Sequence, residues 1–110
     1  MRFAVLCIGI LILATSICTF GADVPATYTS HCSSCHAADG RGKTNTTFKG
    51  QIPDLRSKAV QEMSDTDLYE TIARGTKHHE YPHAFIYRGL KDKDIQELVK
   101  YIRTLAANGK

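Results

Sequence analysis

A chain of 110 residues has room for one domain. Its formal net charge of +3 and its 23% charged residues are ordinary for a globular protein. Basic residues do not cluster with interleaved aromatics, which excludes nucleic acid as a partner.

The first segment reads as a leader rather than as part of that domain. Arg2 precedes an uncharged run from Phe3 to Phe20, and small residues follow at Gly21 and Ala22. These are the parts of a secretory signal over residues 1–22, cut near 21/22 or 22/23, leaving a domain over 23–110. Phe3 to Phe20 could also nearly cross a bilayer, so an uncleaved anchor is the competing reading. Cys18 follows Ile17, where a lipoprotein signal wants a small residue. Cleavage removes Cys7 and Cys18, and of the four cysteines only Cys32 and Cys35 remain.

Ala26 to about Ala38 is predicted as a helix, with Pro25 suited to its first turn. It carries Cys32-Ser33-Ser34-Cys35-His36. C-x-x-C-H is the attachment pattern of c-type haem, in which two thiols add to the vinyl groups and the next imidazole meets the iron. The spacing suits this chemistry, because residues three apart share one face of a helical turn. A disulfide between Cys32 and Cys35 would close too small a loop to stabilise a fold. Zinc would need two more ligands at matched spacing, and the exported chain has no second Cys pair.

Asp39 to Thr47 is turn chemistry throughout and reads as a loop. Pro53 disfavours helix at Ile52, so Ile52-Pro53-Asp54-Leu55 is expected to be extended or turned. A second helix begins near Ser64, whose hydroxyl can cap it, and Gly75 ends it. Leu68, Ile72 and Ala73 share one face of that helix. The last helix is the clearest. Ile95, Leu98, Val99, Ile102, Leu105 and Ala106 follow the 3.6 period, and Asn108-Gly109 stops it. About 90 residues are close to the minimum for a self-sufficient core. A covalently held haem would supply the missing apolar centre.

Tyr28, the Cys32–Gly40 segment, Pro53-Asp54-Leu55, Ser64–Leu68 and Leu98–Arg103 follow one another as in the class I c-type cytochromes, and the chain resembles that family across the exported part. The resemblance implies an all-α cytochrome c fold of three to four helices around one covalently bound haem c. It implies that first and last helices cross, with Tyr28 and Tyr101 meeting there as an aromatic pair. It also implies that the Pro53 carbonyl accepts the imidazole N–H of His36, fixing the tautomer of the iron ligand.

The other iron ligand departs from the family, which uses a Met before a Pro ahead of the last helix. Gly75 to Leu90 contains no Met, and Met63 stands too early in the chain to serve. Matching on Pro82 puts Tyr81 in that position; counting back without a gap from Leu90 and Ile95 puts His83 there. Imidazole binds iron in both oxidation states, which favours His83, with His78, His79, Tyr81 or an open position as alternatives. Two protein ligands leave the iron to one-electron transfer, so the expected role is an exported or periplasmic monohaem carrier, not an enzyme. An open position would instead give a haem enzyme or gas-binding sensor. Redox proteins are the expected partners of a monomer that does not associate with membranes once cleaved. Lys43, Lys49, Arg56, Lys58, Lys77 and Lys91 are candidates for a ring that steers an acidic partner.

Overall fold

The protein is described by a computed structural model covering residues 23–42, 49–75 and 83–108. The leader and the 21/22 or 22/23 cut lie outside these residues. Among the described residues the fold is all helical, as the sequence predicts. Helix α1 spans Ala26–His31, α2 Ser33–His36, α3 Lys58–Gln61, α4 Asp65–Arg74 and α5 Asp92–Asn108, with a 3-10 turn at Phe85–Arg88. No described helix is long and apolar enough to cross a membrane.

The expected helix over 26–38 is broken in two and ends early. Cys32 widens to φ −116° between the two pieces while staying in the right-handed region, and Ala37 closes the segment at φ 61°. The cause is local. The hydroxyls of Thr29, Ser30 and Ser33 each donate to the carbonyl four residues back, and such bonds compete with the backbone ladder and bend helices. The turn survives because the Cys32 amide still donates to Tyr28 O and the His36 amide to Cys32 O, both at 2.9 Å.

Helix α4 follows its sequence signals closely. The Ser64 hydroxyl accepts from the Asp67 amide at 3.0 Å, Asp65 and Asp67 sit in the positive first turn, and Gly75 caps the end at φ 69°. Leu68, Ile72 and Ala73 are buried, as is Thr71. Helix α3 is a short addition that the sequence reading lacks, begun by the Ser57 hydroxyl, which accepts from the Val60 amide.

Helix α5 is the spine. Ile95, Leu98, Val99, Ile102 and Leu105 are buried along one stripe, each burial worth roughly 1.5–3 kcal/mol. Helices α1 and α4 both pack on it. Tyr28 and Tyr101 meet at the α1–α5 crossing with ring centroids 4.8 Å apart at 64°, the edge-on pair expected. Arg103 ties α5 to the α3–α4 corner, donating to Gln61 O at 2.9 Å and to Met63 O at 2.5 Å while pairing with Asp65 at 2.7 Å. Gln61 adds bonds to Leu55 O and Ile102 O at 2.7 and 3.0 Å.

Candidate functional site

The helices surround a cavity of about 430 Å³. Tyr28, Cys32, Cys35 and His36 form one wall, Leu68, Thr71 and Ile72 of α4 another, and Leu98 and Ile102 of α5 the floor. Among the described residues no Asp, Glu, Lys or Arg lines it. His31 and Ala59 are exposed at its mouth, so one edge meets solvent.

His36 hangs from the end of α2, one residue after Cys35, and faces this cavity. His83 enters from the opposite side, just ahead of the 3-10 turn. The two imidazoles lie with centroids 6.3 Å apart and planes within 11° of parallel. A metal held between two imidazole nitrogens at about 2 Å sets the ring centroids about 6 Å apart, and the spacing here is of that size. The spacing and the apolar walls therefore fit a flat, apolar, metal-centred group. Among the described residues no cluster of three or more His, Cys, Asp or Glu could hold a metal.

Phe85 steadies the His83 side. It is buried, with His83 6.3 Å away, His31 edge-on at 5.6 Å and the Arg88 guanidinium 4.7 Å over its ring. Neither Phe85 nor Thr71 carries a motif; only packing periodicity on α4 could have suggested the latter. His78, His79 and Tyr81, the competing ligands, lie outside the described residues, as do Lys43 and Lys77 of the candidate steering ring. Lys58 opens α3 rather than a loop and pairs with Glu62 at 3.5 Å, and Arg56 pairs with Asp54 at 2.7 Å.

Met63 lines the cavity although it precedes α4, because the α3–α4 corner folds over the site. Pro53 lines the cavity with His36.

The thiols sit where a covalent link is needed. Cys32 and Cys35 are both half-buried and unbridged. Burial, reinforced by the neighbouring Cys35, pushes the Cys32 thiol up to about 11. It thus stays protonated near neutral pH, which makes it slow to oxidise before it is linked.

Comparison with known proteins agrees with this geometry. Searches of curated proteins and of solved structures return no match. A family model for cytochrome c matches residues 22–106, a span that includes the thiols, both imidazoles and most of α5. The chain belongs to the cytochrome c family, whose domains serve haem-based electron transfer, and its cofactor is covalently attached haem c, with Cys32 and Cys35 at the attachment positions.

Proposed function

We propose that this chain is an exported monohaem carrier that moves single electrons between redox partner proteins. In this reading residues 1–22 are a cleaved signal, residues 23–110 act as a monomer, and His36 and His83 would hold the haem iron. The observation that supports it best is the parallel pair of imidazoles 6.3 Å apart across an apolar cavity.

When bound, the haem supplies a one-electron ferric–ferrous couple. The protein's part is to hold it. Cys32 and Cys35 take the thioether links, and His36 and His83 each give one imidazole nitrogen. A bond from His36 Nδ1 to the Pro53 carbonyl would orient that ring and raise its basicity. With both imidazoles engaged, no position would remain for a substrate, which is the reason for a carrier rather than an enzyme. Leu68, Ile72, Leu98 and Ile102 line the cavity with apolar side chains and would exclude water from the group held there. His31 and Ala59, exposed at the mouth, would mark the edge open to a partner. Two imidazoles also favour ferric iron over what a thioether ligand would, giving a potential below that of Met-ligated relatives.

Purified protein tests this directly. Its spectra should be low-spin in both oxidation states, unchanged by carbon monoxide, with haem retained through acid-acetone extraction. A high-spin parent that takes up carbon monoxide readily would replace the carrier with a gas-binding or catalytic haem.

A further inference from the structure

We infer that Tyr28 and Tyr101 are positioning residues for His36, bracing through their hydroxyls the left-handed turn that follows it; the inference rests on His36 being an iron ligand. Ala37 has φ 61° and ψ 166°, a region that is essentially reserved for glycine. Among the described residues only Ala37 and Ala84 combine a Cβ with positive φ, and each directly follows one of the facing histidines. A residue with a Cβ stays in such a conformation only when its surroundings over-determine it.

The surroundings of Ala37 do so. The Tyr28 hydroxyl donates to Ala37 O at 2.7 Å, and the Gly40 amide reaches the same oxygen at 3.3 Å. The Tyr101 hydroxyl donates to Ala38 O over a longer 3.4 Å. The Gly42 amide donates to His36 O at 2.9 Å. Three successive carbonyls, of His36, Ala37 and Ala38, are thereby held. The peptide planes that follow the His36 Cα are fixed, and with them the direction of its side chain. Tyr28 is fully buried, so its hydroxyl would be costly to desolvate if this bond were not made. Phenylalanine at both positions would fill the same core and keep the edge-on contact, but would release the turn.

The test uses holoprotein with Tyr28→Phe and, separately, Tyr101→Phe, substitutions that keep each ring. Two readouts separate positioning from mere stability: amide hydrogen exchange at Gly40 and Gly42, and the low-spin ferric electron paramagnetic resonance g-values, which report axial imidazole orientation. Tyr28→Phe should speed exchange at both glycines about tenfold or more and shift and broaden the g-values, with α5 amides unchanged. Tyr101→Phe should act in the same direction but less, in keeping with its longer bond. If Tyr28→Phe lowers only the melting temperature, with exchange and g-values as in the parent, the brace is refuted. His36→Ala tests the underlying ligand reading by itself: a normal low-spin signal in that variant removes His36 as ligand, whatever the tyrosines do to glycine exchange.

Discussion

The two histidines face each other symmetrically, yet the backbone behind them is held in different ways. Behind His36, the strained Ala37 is held by the Tyr28 hydroxyl nine residues back, and the next residue, Ala38, by the Tyr101 hydroxyl on α5. Behind His83, Ala84 adopts an ordinary left-handed geometry, φ 69° and ψ 39°, and among the described residues its carbonyl accepts from the nearby Tyr87 amide at 3.2 Å. The first arrangement draws its hydrogen bonds from two helices. The second closes its hydrogen bond within three residues and reaches the core through the Phe85 ring, which packs on His31 of α1. The contrast teaches that the backbone beside His36 is held by side-chain hydrogen bonds from the helical cage, whereas the backbone beside His83 is held by its own turn and by apolar packing.

The largest expected effect breaks the first side. His36→Ala should abolish stable holoprotein, because it removes the ligand that the brace and the Cys35 link both serve. Haem yield per chain, measured after purification, checks this. His83→Ala should behave differently: covalent holoprotein still forms, but the iron becomes high-spin and binds carbon monoxide that the parent resists. If that variant stays low-spin, His83 is not the ligand, and His78, His79, Tyr81 and Met63 are the candidates that remain. Met63→Leu is the internal control for the other cavity-lining candidate, and it should leave the spectrum low-spin and the midpoint potential close to the parent's.

How far these differences could be read without coordinates follows from their range along the chain. The haem attachment, α4 with its Ser64 cap and Gly75 stop, and the α5 stripe are written in short-range signals, and each was legible. The break at Cys32 was not, because it arises from hydroxyl back-bonds that compete with a good helical pattern. Met63 was excluded on chain order, but the Arg103 strap folds the α3–α4 corner over the cavity, a contact forty residues apart in sequence. The choice of His83 rested on spacing and on the affinity of imidazole for iron in both oxidation states. What now supports it is the relation between two ring planes, which no one-dimensional pattern contains.

Two glycines sharpen the comparison at smaller magnitude. Gly40, on the His36 side, sits at φ +80°, and a Cβ there would come 2.8 Å from Leu105 Cδ1 and 3.3 Å from Leu55 Cβ. Gly89, after the 3-10 turn on the His83 side, sits at φ +99° with nothing within 4 Å of an added Cβ. Gly40→Ala should therefore combine backbone strain with overpacking and cost about 2–4 kcal/mol. Gly89→Ala should cost the strain alone, about 1–2 kcal/mol. Denaturant unfolding of both holoproteins measures the gap, and equal losses would show that the His36 side is no more tightly packed than the other.

The smallest effect is a dependence on alkaline pH that should belong to the His36 side. Burial raises the Tyr28 hydroxyl above its ordinary value of 10.0, with lesser contributions from Cys32, Tyr101 and Asp39. Tyr101 is raised in the same direction, again by burial first. A raised tyrosine favours its neutral form in the folded state. Its contribution to stability is complete below pH 10 and is lost as pH climbs toward the folded value, since the unfolded chain gives up the proton first. In holoprotein Cys32 is a thioether and cannot ionise, but the burial of Tyr28 is unchanged. Each such group should lower stability by at most about 1.4 kcal/mol per pH unit above pH 10. Tyr28→Phe removes one of them. Unfolding free energies measured at successive pH values above 10 should thus fall less steeply in Tyr28→Phe than in the parent. Parallel slopes would mean that Tyr28 ionises as freely in the folded protein as in the unfolded chain, and that its hydroxyl is not held on Ala37 in solution.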